Sequence, residues 1–527
     1  MNHSTISTSL SAIPVLRDVF DLIVLLVPEF LNLLAAVRRF RREAVTPHRT
    51  WAFENDLAAI MREFARITVQ HEFNRIEPQQ GDGCPLRLRF AGDVFRRRPK
   101  SPKRIGTLFG EINLHRYVYQ AVEPGEPALA PLEKQLGIEV GLATPALAER
   151  VGLWSVDHEQ EQVRCVLLRE HNVSWSVHSL RKVTRALRDG LASFREPAQV
   201  QRLLEMLEKA FASQGKHRPT LAMGRDGVHV PIRKPKGDAV PIPVGKTKGD
   251  SVPAAMRKAD YHEASTASVS VNDRRGKRVG TVYLGQMPET GQVTLSAQLT
   301  ALLKEVLTQW QAQGKPVPRL AYITDGGSHP REYYQKVLRH MADPWHRGGC
   351  LQWQWVLDFW HACGYVSQLA EVLFGASATA AQWFRKWRHW LRDRHQGVTQ
   401  VLRSAMWHYN NTSRFTKSQR EDYWQAYRYL RKHSVWMKYT RYRSQGMPIG
   451  SGVTEAACKI VFSERLKRSG MTWRPTGGQV IVDLRVLKLS KVWQEAHSAY
   501  LRSRPLPTVV ESASQSLLNG RVLKKAA

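Results

Sequence analysis

Residues 447–473 read MPIGSGVTEAACKIVFSERLKRSGMTW. Glu455 follows a Gly450-Ser451-Gly452 turn and stands at the root of the run Ala-Ala-Cys-Lys-Ile-Val-Phe, which predicts a mostly buried helix. A carboxylate there can simply favour the positive end of a helix. It can also be a functional group held by a rigid element, and that alternative needs other acids in comparable settings.

Two are present. Asp226 lies within TLAMGRDGVHVPI (220–232), read as a strand, and shares strand parity with Val228 and Val230. Asp325 closes RLAYITDGG (319–327), also read as a strand, where the two glycines permit a sharp turn and close approach of a ligand. An isolated buried carboxylate is costly. Each acid alone can be explained by a turn or a cap. Three acids on or beside one sheet are better explained by a shared divalent site, and hard oxygen donors suit Mg²⁺ or Mn²⁺. Two such ions about 4 Å apart activate a water or a 3′-hydroxyl and stabilise the leaving oxygen of a phosphodiester.

The composition calls for a polyanionic partner. Of 527 residues, 78 are Lys or Arg against 46 Asp or Glu, a net charge of +32. A surplus of this size points to nucleic acid ahead of a membrane surface or ribosome. The five cysteines (Cys84, Cys165, Cys350, Cys363, Cys458) have no metal-ligand spacing, which fits a reducing compartment and speaks against a zinc ribbon. The N-terminal DLIVLLVPEFLNLLAAV is expected to be a buried or assembly helix. Arg17, Asp18, Asp21 and Glu29 flank or interrupt it and Pro28 splits it, so neither a membrane span nor a signal peptide is expected. The expected location is cytoplasmic, on the nucleoid.

Along the chain, helical periodicity marks 12–43 and 50–75, within an N-terminal helical region (1–84). A small β region (85–135) comes next, in which FRRRPKSPKR (95–104) reads as a basic linker and IGTLFGEINLHRYVYQAV as a strand pair. Residues 136–215 read as helical. TPALAERVGLWS, HEQEQVRCVLLREH and the basic NVSWSVHSLRKVTRALRDGL form a helix-turn-helix candidate, with Asn172 or Ser174 as turn and cap and Arg181 and Lys182 toward DNA. An ordinary helical bundle is the competing explanation. Three strands followed by alternating helices and strands over 216–364 predict a mixed α/β sheet. Between its first two strands, KPKGDAVP (234–241) recurs as KTKGDSVP (246–253), a cationic loop repeat. Residues 365–445 are helical and interleave Trp and Tyr with Arg and Lys, which suits packing on one face and phosphates or bases on the other. Residues 446–495 return to the catalytic fold with Glu455, and 496–527 read as a flexible tail.

In order, strand-Asp, strand-Asp-Gly-Gly and Gly-Ser-Gly-x-x-Glu resemble an RNase H-like DDE transposase. IGSGVTEAACKIVFSERLKRSGMTW, together with FGEINLHRYVYQ, SVHSLRKV and DFWHA in the same order, is similar to the ISKra-type family of bacterial insertion-sequence transposases, over roughly residues 85–490. The resemblance implies an RNase H-like fold interrupted by an all-α insertion and preceded by a mainly helical DNA-binding region. It implies that Asp226, Asp325 and Glu455 hold two Mg²⁺ (or Mn²⁺) ions as a catalytic triad. LDFWH resembles the Asp-x-x-His element of such insertions, pointing to Asp358 and His361, which one helical face could bring together as a hydrogen-bonded pair. A capping or core-satisfying role is the alternative.

Two departures from the family stand out. Relatives often carry paired cysteines after the FGE…R..Y strand; this chain has YQAVEPGEPALAP there, and no zinc is expected. Some DDE families carry a Lys or Arg seven residues after the Glu; here Phe462 stands there, leaving Lys459 or Arg465 for that work. Lys467, Arg468 and Arg474 are expected at phosphates. The implied activity is binding of terminal inverted repeats, metal-dependent cleavage and strand transfer into target DNA by a homodimer or higher assembly, away from membranes. A nuclease that only hydrolyses, or a non-catalytic DNA-binding regulator, are the alternatives.

Overall fold

The computed structural model describes residues 14–78, 84–123, 127–233, 260–412 and 415–510; the repeat at 234–253 lies outside them. The chain divides into two units, residues 1–190 with 498–527, and residues 191–497.

In the first unit, helix Pro14–Arg42 runs unbroken through Pro28. The helix expected over 12–43 is thus present, but it is not a buried one. Val19–Arg42 is, among the described residues, the one helix long and apolar enough to cross a membrane by those criteria alone, and little of it is buried. Two acids and one proline do not break 24 residues of continuous helix. The partner helix Pro47–Ile76 starts at a Thr46 cap, and Phe40 stacks on Phe53 at 4.4 Å.

Strands β1 (Arg87–Phe90), β2 (Asp93–Thr107) and β3 (Gly110–Ala121) form an antiparallel sheet. FRRRPKSPKR is therefore strand, not linker. Its prolines are tolerated because the β2–β3 register shifts between Arg97 and Lys100, and β1 pairs β2 no further than Arg96. The C-terminal stretch is likewise less free than expected. Thr508–Val509 pairs with β1. Arg504 lies 2.5 Å from the buried Glu139 carboxylate, which also accepts the Tyr500 O–H at 2.7 Å. Helices Pro145–Asp157 and Gln160–His171 precede Val177–Ala212. Asn172 ends the middle helix in the left-handed region (φ 48°), and Ser176, not Ser174, caps the next by accepting from the Ser179 N–H.

The second unit is built on a five-stranded mixed sheet: β4 (Thr220–Ile232), β5 (Asp260–Asn272), β6 (Arg278–Gln286), β7 (Arg319–Thr324) and β8 (Gln354–Leu357), in spatial order β6-β5-β4-β7-β8. β4, β5 and β6 are antiparallel neighbours, whereas β7 and β8 run parallel to β4. One face packs on Val293–Ala312 and on Leu203, Leu207 and Ala210. Against Val230, Ala264 and Met287 pack Val461, Phe462, Leu466, Ile481 and Val482.

Between β8 and the Gly-Ser-Gly turn the chain is all helical: Phe359–Phe374, Ala378–Asp393, Gly397–Asn411, Lys417–His433 and Tyr439–Ser444. The first of these helices begins at Phe359, directly after β8. Trp383, Trp387, Tyr423 and Tyr439 bury into their common core, while most interleaved Arg and Lys stay outside.

Candidate functional site: three carboxylates at the end of the sheet

β4 and β7 pair in parallel up to Met223 opposite Tyr322. Asp226 and Asp325 each lie three residues further along, at the same level and with the same parity; Asp226 is still within β4, opposite Thr266 of β5, whereas Asp325 directly follows the end of β7. Arg225 points the opposite way, as alternation requires. It is buried over the Tyr333 ring and donates to Gln292 Oε1 at 2.9 Å. It is not a partner of the acids.

Asp226 Oδ1 accepts the Gly227 N–H at 2.8 Å, and its Oδ2 lies 3.4 Å from Cys458 Sγ. Burial raises the Asp226 pKa, and the negative charges of Asp325 and Glu455 push the same way; the Gly227 and Cys458 hydrogen bonds oppose them. Asp226 thus lies close enough to feel the charges of both Asp325 and Glu455. The Cys458 thiol is itself pushed up, first by burial and then by Asp226, so it stays protonated and donates.

Asp325 folds its carboxylate onto its own turn, accepting the Gly327 N–H at 2.9 Å. Gly326 is needed there. It sits at φ +84°, and a Cβ would stand 2.8 Å from Leu357 and 3.3 Å from the buried His433 ring. The Asp325 carbonyl accepts the O–H of Tyr429 from helix Lys417–His433. Tyr365 stacks on Tyr429 at 3.8 Å, and His361 meets both edge-on at 5.4 and 5.6 Å. Burial, then the Asp325 charge, raises the Tyr365 pKa.

Glu455 sits differently from the sequence expectation. Its helix is short, Gly452–Ala457, and passes into a π-helical turn at Cys458–Ser463 before Glu464–Leu466. The Glu455 side chain is exposed, and its Oε1 accepts the Ser451 O–H at 2.8 Å. The extra residue in a π-helical turn rotates the downstream side chains around the helix axis. Cys458 faces Asp226 while Val461 and Phe462 still reach the core. Close packing against β4 depends on Gly224, where a Cβ would lie 2.1 Å from Thr454 Oγ1; that hydroxyl bonds Ser268 Oγ at 2.8 Å.

Asp358 follows β8 and is completely buried. Its carboxylate accepts the backbone N–H groups of Trp360 (3.2 Å), His361 (3.0 Å) and Ser451 (3.0 Å). The expected Asp358–His361 side-chain pair does not form. A helix cap points its carboxylate at backbone donors, which leaves the exposed His361 ring to the tyrosines. Asp358, Ser451 and Glu455 form one chain of hydrogen bonds.

The expected DNA contacts separate. Lys459, Lys467 and Arg474 are exposed, and Arg468 is half-buried with its Nε donating to the Glu464 carbonyl at 2.8 Å. Arg465 is 2% exposed and lies over Trp473 at 5.1 Å, so it is a core residue rather than a phosphate contact. The neighbouring indole could have signalled this, since a guanidinium stacks readily on Trp. Arg181 and Lys182 are exposed and belong to the first unit, where Arg181 donates to Gln160 at 2.8 and 3.0 Å. Cys458, Ser451 and Tyr429 carried no sequence signal as partners of the acids.

Among the described residues, no three His, Cys, Asp or Glu side chains are placed to ligate one ion as they stand. Asp226 and Asp325 are half-buried and Glu455 is exposed, and the charges of Asp325 and Glu455 both disfavour the anionic form of Asp226.

No protein-family model and no curated protein matches the chain. Among solved structures, the Drosophila P element transposase strand transfer complex is similar at 8% identity and TM-score 0.22, over 68% of this chain and 82% of that one. The Mos1 transposase paired-end complex with left transposon end is similar at 14% identity and TM-score 0.14, over 58% and 79%. Likeness at these TM-scores establishes neither a shared fold nor a shared chemistry.

Proposed function

We propose that the chain is a DDE-type transposase of the ISKra-type family, binding the inverted repeats of a mobile element, cleaving DNA and joining its 3′-hydroxyl to a target. The observation that carries this reading is the matched position of Asp226 and Asp325 on the neighbouring strands β4 and β7, with Glu455 near enough for its charge to raise the Asp226 pKa, in a chain of net charge +32. The strand order β6-β5-β4-β7-β8 agrees with an RNase H-like domain, and the helices between β8 and Glu455 with its insertion.

Asp226, Asp325 and Glu455 would hold two Mg²⁺ or Mn²⁺ ions, which supply activation of a water or 3′-hydroxyl and charge neutralisation at the phosphodiester. The chain's own residues do the positioning. Gly227 and Cys458 orient the Asp226 carboxylate, and the Gly327 N–H and Tyr429 hold the Asp325 turn from two sides. Ser451 orients Glu455 and is itself fixed by Asp358. Glu455 is exposed and held by the Ser451 hydroxyl, so its carboxylate is accessible to an ion. Lys459, Lys467 and Arg474 offer exposed cations after Glu455 for DNA phosphates. Holding two ends together calls for a dimer or larger assembly.

A Mg²⁺-dependent strand-transfer assay with the element's ends tests the reading. Joined product that disappears in Glu455→Gln supports it. Hydrolysis without joining would make the chain a nuclease, and binding without cleavage a regulator. Cleavage and joining intact in Glu455→Gln would overturn the triad.

A further inference from the structure

An open cleft of about 420 Å³ lies between helices Gly397–Asn411 and Lys417–His433. Arg403, Trp407 and Asn410 line one wall on successive turns; Tyr427 and Arg431, one turn apart, line the other. Trp407 is 62% exposed, although Trp383 and Trp387 of the same helical region are buried. Arg403 and Arg431 are exposed and have no carboxylate partner among the described residues, and no acid lines the cleft.

An exposed indole between two uncompensated guanidinium groups suits a ligand that is flat, apolar on its faces and anionic at its edge. A nucleotide has this character, and the volume is in the range of small-ligand sites. In a duplex both faces of each base are covered by its neighbours, so only an unpaired or extruded base can present a face to Trp407. We propose that this cleft holds one unstacked nucleotide of a single DNA strand, its base on Trp407 and its phosphates at Arg403 and Arg431. This rests on the reading of the chain as a DNA-processing enzyme and adds a strand-separated substrate to it. Helix Lys417–His433 links the two sites. Tyr427 and Arg431 face the cleft, while Tyr429, on the other side of the helix, holds the Asp325 carbonyl.

The test measures affinity of the full chain for a fluorescent oligothymidine and for a duplex of equal length, without divalent metal. Trp407→Ala is expected to lower the single-strand to duplex affinity ratio about tenfold, and Trp407→Tyr to retain most of it. Arg403→Ala with Arg431→Ala should flatten the salt dependence of single-strand binding by about one to two units of slope. An unchanged ratio in Trp407→Ala overturns the proposal, as does equal loss in Trp407→Ala and Trp407→Tyr. A tenfold ratio loss in a chain that never cleaves DNA would uphold the cleft and sink the transposase reading, so the two fail separately.

Discussion

The buried carboxylate of Asp358 accepts the backbone N–H of Ser451 at 3.0 Å, across 93 residues of sequence. The same carboxylate caps helix Phe359–Phe374, and the Ser451 hydroxyl donates to Glu455. The end of β8, the start of the helical region and the turn before Glu455 are therefore pinned to one side chain. Asp358→Ala leaves three backbone donors without that acceptor and should cost about 2–4 kcal/mol, read by chemical denaturation. Asp358→Asn keeps one acceptor oxygen and should cost less. Both should reduce cleavage more than an equally destabilising core substitution remote from the turn.

Gly224 decides how closely the Glu455 helix approaches β4. A Cβ there would meet Thr454 Oγ1 at 2.1 Å and the Ile323 carbonyl at 2.9 Å. Gly224→Ala should cost about 1–3 kcal/mol through overpacking. Thr454→Ala removes the nearer obstacle but also the bond to Ser268. A double-mutant cycle should show Gly224→Ala milder in the Thr454→Ala background; strict additivity would mean that the two sites are not in contact.

Asp226 opposes stability at neutral pH. Its folded-state pKa is raised by burial first, then by the Asp325 and Glu455 charges. The folded chain therefore binds that proton more tightly than the unfolded chain does. Stability is lost as pH climbs from the ordinary carboxylate range through the raised value. Asp226→Asn removes this loss and should raise Tm at pH about 7 by about 2–4 °C while abolishing cleavage. Its advantage over the wild type should vanish as the pH falls below the ordinary carboxylate range, where Asp226 is protonated in the folded and unfolded chain alike. Added Mg²⁺ should stabilise the wild type and leave Asp226→Asn unchanged.

Much of the sheet is legible in the sequence because its strands obey simple rules. The segment read as the first strand is β4, Thr220–Ile232, and the glycines after Asp325 mark a turn, one of them at φ +84°. What stays hidden is what joins distant positions. Tyr429 reaches the Asp325 carbonyl over 104 residues and Cys458 reaches Asp226 over 232. Neither partner differs in local pattern from its neighbours. FRRRPKSPKR resembles a linker because prolines discourage strands; the register shift between Arg97 and Lys100 and the end of β1 pairing at Arg96 make room for them. The π-helical turn after Ala457 has no local signature, yet it rotates the residues that follow it relative to Cys458.

Arg465 and Lys467 are two positions apart and should behave oppositely. Arg465 is 2% exposed over Trp473, whose indole N–H donates to the Leu466 carbonyl at 2.9 Å. Arg465→Ala should cost about 2–4 kcal/mol in denaturation, since it removes packing and a stacked cation together. Lys467 is exposed, so Lys467→Ala should leave stability within about 0.5 kcal/mol. If Lys467 meets a phosphate, that variant should lower the slope of log affinity against log salt by about one for duplex DNA. Titrations at several salt concentrations read both. A reduced slope for Arg465→Ala at unchanged stability would show that its guanidinium reaches DNA, and would reverse the core assignment.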